Sequence, residues 1–239
     1  MESLPVQIRK NTAFDAYRMV VCGSERSKHT YSKRLLTVEE MAISFVGKRI
    51  LDIGCGYGFR TLGIANLGAK CVIGIDLDAD RIRQADEHAK SVGVTNVQFK
   101  CMNSECLEFE NNSFDIVTAD EMIHHAKNLS TTVSEMYRVT KPGGVTVISD
   151  HNRWSLPSYL TRAIMFKNHR TRVFSAKQIQ VILRETGFKD IHYRHILFTM
   201  PFQTIPSFIL KMNYALEYII ERTPFMRLQC GVYVIRGIK

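Results

Sequence analysis

The chain has 239 residues, enough for one α/β domain with a sizeable core and insertions. Apolar residues make up 45% and Gly and Pro are ordinary in number, which excludes a disordered chain. The net charge of +9, from 32 basic and 23 acidic residues, suits nucleic acid, anionic lipid or an anionic substrate, and serves plain solubility equally well.

The six cysteines, Cys22, Cys55, Cys71, Cys101, Cys106 and Cys230, form no CxxC pair, so neither a zinc site nor a redox motif is expected. Cys71 and Cys101 fall in expected core strands, and reduced thiols in a cytoplasm fit best. Met1–Lys10 is polar, without a signal core, and no uncharged apolar run is long enough to span a bilayer. The longest apolar region, Ile205–Ile220, is broken by Lys211 and Glu217.

In chain order, residues 1–47 are mixed and carry Arg26, Lys28, Lys33 and Arg34, and Thr37-Val38-Glu39-Glu40 reads as a cap for a helix ending at Gly47. Arg49–Ile53 is a short apolar strand that stops at glycines. Phe59–Asn66 is a helix stopped by Gly68. Cys71–Asp76 is a second strand, Asp78–Ser91 a polar-faced helix and Val97–Met102 a third strand. Phe114–Ala119 is the fourth strand and Leu129–Thr140 a helix. Pro142-Gly143-Gly144 is a turn before the fifth strand, Val145–Ser149. Strands alternating with helices imply βαβ units, hence a mostly parallel, doubly wound sheet with its ligand crevice at the strands' carboxyl ends.

Past Asp150 the pattern changes. His151–Phe174 is basic and aromatic, with Arg153, Arg162, Lys167, Arg170 and Arg172. Ser175-Ala176-Lys177-Gln178 is a capping-box signature for a helix ending near Gly187. Phe188–Phe198 and Gly231–Lys239 read as two late strands, which brings the total to seven. Thr199–Arg227 between them is an apolar-rich insertion. The expected organisation is one domain: an N-terminal helical cap over 1–47, a cofactor core over 48–150, and a substrate-side half over 151–239 with insertions at 151–173 and 199–228.

Ile50-Leu51-Asp52-Ile53-Gly54-Cys55-Gly56-Tyr57-Gly58 puts three glycines between a strand and a helix. Without a Cβ the backbone turns sharply and lies close to a ligand, and the next helix offers free amides and the positive end of its dipole. Asp76 ends the following strand, at the spacing of an acid that bonds ribose hydroxyls. A dinucleotide and S-adenosylmethionine (SAM) both suit that geometry.

Asp52–Gly58 resembles the first motif of class I SAM-dependent methyltransferases, and Gly74-Ile75-Asp76-Leu77-Asp78 resembles their second. Phe114-Asp115-Ile116-Val117 is similar to their fourth-strand motif, and Lys141-Pro142-Gly143-Gly144 to the turn before strand five. The resemblance covers about residues 49–150 and implies a Rossmann-like fold with SAM as cofactor and S-adenosylhomocysteine as product. On that resemblance Gly54, Cys55, Gly56 and Gly58 pass beside the methionine part, and Asp52 orients the loop. Asp76 binds the ribose diol and Leu77 packs on the adenine. Asn103-Ser104-Glu105 stands where relatives carry Asp-Ala to read the adenine amine. Asn103 departs from that pattern, though an amide oxygen still accepts the bond. Asp120 faces the methionine moiety or the transferred methyl.

Methyl transfer is an in-line displacement, in which the protein mainly aligns the acceptor and excludes water. A base is needed only where the acceptor loses a proton. Candidates are Asp120, Glu121, His124 and His125 after strand four, and Asp150 and His151 at the end of strand five. No metal is expected.

Ile205, Phe208, Ile209, Met212, Leu216, Ile219 and Ile220 recur at helical spacing. With 151–173 they read either as a lid or membrane-lying surface over a greasy acceptor, or as a helix packed on its own domain. Glu221-Arg222-Thr223-Pro224-Phe225 and the late strands resemble methyltransferases of glycan and lipid biosynthesis. The expectation is a small-molecule methyltransferase acting on a hydrophobic or partly anionic acceptor (lipid-like, quinone-like, a glycan or a natural product), cytoplasmic, with peripheral membrane contact through the basic and apolar insertions as the alternative to a plain cytoplasmic protein. An RNA methyltransferase, an NAD-dependent oxidoreductase and a non-catalytic SAM-binding protein are the alternatives. No Asn-Pro-Pro-Tyr motif and no RNA-binding module is found for the first of these. Oligomeric state is not legible.

Overall fold

The computed structural model describes residues 25–159, 172–197 and 207–239, and of 25–28 and 207–211 only the helical backbone. Its elements are α1 (Glu25–Met41), β1 (Arg49–Ile53), α2 (Phe59–Asn66), β2 (Cys71–Asp76), α3 (Ala79–Ser91), β3 (Val97–Cys101), β4 (Phe114–Asp120), α4 (Leu129–Val139), β5 (Thr140–His151), α5 (Ala176–Thr186), β6 (Lys189–Ile196), α6 (Ser207–Arg222) and β7 (Val232–Ile238). Short 3-10 turns sit at Ile123–His125 and Met226–Gln229.

The strands form one seven-stranded sheet in the order β3-β2-β1-β4-β5-β7-β6. Strands β1 to β5 pair in parallel, and β7 runs antiparallel to both β5 and β6. The winding reverses between β1 and β4, so the connections on either side leave in opposite directions and open a crevice above the carboxyl ends of those two strands.

Both faces of the sheet are covered, which explains why its central strands are near-continuous apolar runs. Alternate residues serve opposite faces. Leu51, Ile53, Val117, Ala119 and Ile148 pack with Val133 and Met136 of α4 and with Ile179 and Leu183 of α5. Ile50, Ile116, Val145 and Val147 pack with Leu35, Val38 and Met41 of α1 and with Ile64 and Ala65 of α2. Each fully buried side chain of this kind contributes roughly 1.5–3 kcal/mol.

Local signals set most ends. Asp78 caps α3, accepting from the amides of Asp80 and Arg81 at 3.0 and 3.1 Å. The capping box at α5 forms in both directions: Ser175 Oγ accepts from the Gln178 amide at 3.3 Å, and Gln178 Oε1 accepts from the Ser175 amide at 2.9 Å. Gly187, at φ 110, closes that helix.

Three expectations are corrected. Thr37 lies inside α1, where its hydroxyl donates to the Lys33 carbonyl at 2.7 Å, so it is no cap. Residues 142–144 belong to β5: the register shifts between the pairs Phe114–Thr140 and Ile116–Val145, which takes up three extra residues of β5, and the Gly143 amide donates to the Lys239 carbonyl at 2.9 Å. Cys101 is exposed, because β3 is an edge strand. The apolar stripe on α6, for which the sequence left two readings, is divided: Ile220 is buried, while Met212 and Ile219 are exposed. The positions Arg162, Lys167, Arg170 and Ile205, and the side chains of Arg26, Lys28, Phe208 and Ile209, lie outside the described residues.

Ser175→Ala removes the cap hydroxyl from α5 and should lower unfolding stability by about 1 kcal/mol, read as a shifted denaturant midpoint at unchanged slope. Leu183→Ala, on the buried face of the same helix, should cost about 2–5 kcal/mol in the same assay.

Candidate active site

The glycine loop leaves β1 with Gly54, Gly56 and Gly58 at φ 72, 52 and 80, in the left-handed region that side chains with a Cβ disfavour. At Gly58 a Cβ would stand 2.8 Å from the side chains of Ala85 and Phe99, so glycine is required there on space as well as backbone. At Gly56 the same direction is open, leaving the backbone accessible to a ligand. Gly54 and Cys55 both donate their amides to the Ile75 carbonyl, at 2.8 and 2.9 Å, which hangs the loop on the end of β2.

Asp76 completes the bracing. One carboxylate oxygen accepts from the Gly56 amide at 2.9 Å and the other from the Asp78 amide at 3.0 Å. Each oxygen keeps a second lone pair for a hydroxyl group. Beside it lies a cavity of about 420 Å³, lined by Gly54, Gly56, Asp76, Leu77, Met102, Asn103, Ser104, Glu105, Met122 and His125 among others. Leu77 is largely exposed, as a residue that covers a flat ring would be before that ring arrives. Asn103 already uses its side-chain oxygen, accepting from the Glu105 amide at 2.9 Å. Glu105 in turn accepts from the Asn128 amide at 2.9 Å, which ties this wall to the start of α4.

A second cavity, of about 270 Å³, adjoins the first at Gly54 and Glu121 and is lined by Tyr31, Asp52, Cys55, Phe59, Arg60 and Asp120 as well. Asp52 is fully buried. It accepts from Thr61 Oγ1 at 2.7 Å and Thr118 Oγ1 at 3.0 Å, locking β1 to α2 and β4. Burial outweighs those bonds and the nearby Arg60 charge, and raises its carboxyl to about 6. Burial likewise pushes the Cys55 thiol up, so it is unreactive.

Asp120 is clasped by two arginines. Arg34 Nη2 donates to one oxygen at 2.7 Å and Arg60 reaches the other. Arg34 also bonds Glu121 and Ser149 Oγ, the latter at 3.2 Å. Burial would lower the pKa of Arg34, but the Asp120 and Glu121 charges outweigh it and raise it. Asp120 therefore holds the two arginines in place. Arg60 Nη1 is buried and bonded to no protein atom, which leaves a cationic donor on the cavity wall.

The imidazoles meet on the other side of β4. The His124 and His125 rings are 4.1 Å apart and those of His124 and His151 5.6 Å, centre to centre. His124 Nδ1 lies 2.7 Å from Asp150 Oδ1. The same carboxylate accepts from the backbone amides of His124 and His151, at 3.3 and 2.6 Å. Burial would lower the pKa of His124, but Asp150 and Glu121 outweigh it and raise it. His125 is lowered by burial and by the His124 charge. His151 is lowered by burial despite Glu121, whose carboxylate is 3.5 Å from its Nε2. Burial would raise Glu121, but Arg34 and His151 hold it down at about 2. Glu121 sits at φ 51, a left-handed conformation that is strained for glutamate.

The two joined cavities are lined by Asp52, Gly54, Cys55, Gly56, Asp76, Leu77, Asn103, Ser104, Glu105, Asp120, Glu121 and His125, while His124 and His151 lie beside Asp150 and Gly58 lines neither cavity. Sequence reasoning missed Arg34 and Arg60 as site residues, along with Tyr31 and Met122. Arg60 follows the glycine loop by two residues and was within reach of the motif. Arg34 carries no local signal, since its partners lie 86–115 residues away.

A methyltransferase-domain family model matches residues 44–190. With the glycine loop, acidic β2 end and seven-stranded order, this shows that the chain belongs to the class I SAM-dependent methyltransferases, whose cofactor is SAM. The chain is 33% identical over 139 residues to a ubiquinone biosynthesis O-methyltransferase of Methylococcus capsulatus, covering 58% of this chain and 57% of the relative. It is 41% identical over 119 residues to the protein of that name from Burkholderia vietnamiensis, covering 49% and 50%. The chain spans about half the length of the curated relatives it matches. Among solved structures, a SAM-dependent methyltransferase of Thermotoga maritima, titled a possible histamine N-methyltransferase, aligns at TM-score 0.63 and 19% identity over 95% of this chain and 99% of that one, a likeness of fold alone.

The residues present fit SAM. The free Arg60 donor suits a carboxylate, the Asp76 oxygens suit a diol, and the apolar wall of Leu77 and Met102 suits a purine. Asp76→Ala should weaken SAM binding about 10- to 100-fold by calorimetry, the worth of hydrogen bonds to a charged acceptor. An unchanged Kd would place the ribose contact elsewhere.

Proposed function

We propose that the chain methylates an oxygen atom of a small, predominantly apolar, quinol-like acceptor, with His124 as general base and Asp150 as the residue that positions it. The observation that carries this reading is the 2.7 Å contact between His124 Nδ1 and Asp150 at the carboxyl ends of β4 and β5. When bound, SAM supplies a methyl activated by its sulfonium. What remains for the protein is to place a hydroxyl oxygen in line and remove its proton.

Asp150 accepts the Nδ1 proton of His124, which leaves Nε2 as the basic nitrogen. The Asp150 charge also steadies the imidazolium that forms. His125 and His151, both shifted towards the neutral form, flank the ring without adding like charge. On the opposite side Asp120 and Glu121 fix Arg34 and Arg60, which keep positive charge near the amino-acid end of the cofactor. The relatives named O-methyltransferases of ubiquinone biosynthesis support an oxygen on a ring substituted by an apolar tail. An acceptor of that kind partitions into membrane.

A general base must be neutral to act. Turnover should therefore rise with pH through an apparent pKa above 6.5, the ordinary histidine value, with a catechol bearing a short prenyl tail as acceptor and S-adenosylhomocysteine formation as readout. Asp150→Asn should move that inflection to lower pH. His124→Asn should cut kcat by about 10²- to 10⁴-fold while SAM affinity is kept. A His124→Asn enzyme with parental kcat would refute the assignment of the base.

A further inference from the structure

Helix α6 is mounted with its polar side inward. Asn213 and Glu217 are buried at 5% and 1% exposure, while Met212, Tyr218 and Ile219 face outward at 67%, 59% and 56%. The inward side is fixed by charge: Glu217 and Glu221 both pair with Lys33 of α1, and Glu217 lies 3.1 Å from His29. The outward apolar side is therefore held in place, not left over from loose packing.

Two further pieces of chain extend it. The 3-10 turn after α6 exposes Phe225, at 87%, together with Met226 and Leu228. The segment after β5 exposes Trp154, Leu156 and Tyr159. Hydrogen bonds join the two: Asn152 Nδ2 donates to the carbonyls of Leu228 and Cys230 at 2.8 and 2.9 Å, and Ser155 Oγ to that of Gln229 at 2.9 Å. Single exposed apolar residues are ordinary, but a joined set from three elements marks a binding surface.

Charge selects the occupant. Residues 152–159 and 222–230 contain no acid, and their ionised side chains are Arg153, Arg222 and Arg227, all exposed. Arg222 lies over the Tyr218 ring at 3.5 Å and Arg153 over Trp154 at 5.9 Å, so the cations sit among the aromatics. Aromatic rings at headgroup depth beside arginines that meet lipid phosphate are the chemistry of a peripheral membrane site. The surface also adjoins the imidazole cluster: Trp154 is three residues beyond His151, at most about 11 Å along the chain.

We propose that this surface, formed by Met212, Tyr218, Ile219, Phe225, Trp154 and Tyr159 with the three arginines, docks on an anionic phospholipid bilayer and presents the imidazole side of the site to it. The benefit of docking rests on the reading of an apolar acceptor; the docking itself does not, and it is measured without acceptor or turnover.

Trp154 is the sole tryptophan of the chain, so its emission reports on this surface directly. With vesicles of phosphatidylcholine containing phosphatidylglycerol, the emission should shift to the blue and be quenched by brominated lipid, with weaker binding to phosphatidylcholine alone. In co-sedimentation, Arg153→Glu with Arg222→Glu should lower partitioning onto the anionic vesicles about tenfold or more. Phe225→Ser with Met212→Ser should lower it similarly, with SAM affinity unchanged by calorimetry. Unshifted emission with both kinds of vesicle, or parental sedimentation of both double variants, would overturn the proposal. So would a dimer in solution that Phe225→Ser with Met212→Ser dissociates, because a second copy would then cover the surface. Parental turnover by a His124→Asn enzyme that still docks would refute the proposed function alone.

Discussion

Two guanidinium groups and two carboxylates, Arg34 and Arg60 with Asp120 and Glu121, hold the site together. Removing such charges from water is costly, and only close pairing offsets the cost. Arg34 is almost fully enclosed, so α1 cannot lift away without stranding an ion in the interior. The N-terminal helix, the carboxyl ends of β4 and β5 and the start of α2 are thereby made interdependent. Breaking Arg34 or Asp120 alone is expected to be far worse than replacing the pair, because both are buried, whereas Glu121 keeps nearly half of its side chain in solvent. The cluster also accounts for Glu121: a left-handed glutamate persists because Arg34 on one side and the amide bond to the Ser149 carbonyl on the other leave it no alternative.

The two sides of the sheet divide the work. Residues of β4 and β5 that point towards α1 and α2, namely Asp120 and Ser149, serve the arginines. Asp150, one residue on from Ser149, points to the other side and serves His124. The period of two along a strand therefore puts the arginine pairs and the His124–Asp150 pair on opposite faces, with Glu121 between Arg34 and His151. Low dielectric around each carboxylate makes that separation useful, since a guanidinium beside His124 would oppose its protonation.

How much of this was legible in sequence follows from the distance over which each signal acts. Strands β1, β2 and β4 and helix α2 stand within a residue of where the pattern of apolar runs and glycines put them, because burial on both faces and a turn needing positive φ are local requirements. The capping box at Ser175 was readable for the same reason. The early start of β5 was not: a Pro-Gly-Gly run reads as a turn, and only its pairing with Lys239 draws it into the sheet. The imidazoles could be listed but not ranked, since the contact of His124 with Asp150 spans 26 residues. The orientation of α6 was least accessible. An apolar stripe has the same period whether it faces a core or a bilayer, and the decision was made by Lys33, 184 residues away from Glu217.

Asp76 has a consequence for the energetics of association. Its bond to the Gly56 amide means that the acid and the glycine loop are already in register in the ligand-free chain. Glycine-rich segments ordinarily lose the most conformational freedom when they close around a ligand. Here that entropy is given up on folding, when Gly54 and Cys55 hang on Ile75 and Gly56 on Asp76. A nucleoside arriving at the cleft meets a rigid edge, and its contacts count almost wholly towards affinity, not towards ordering the loop.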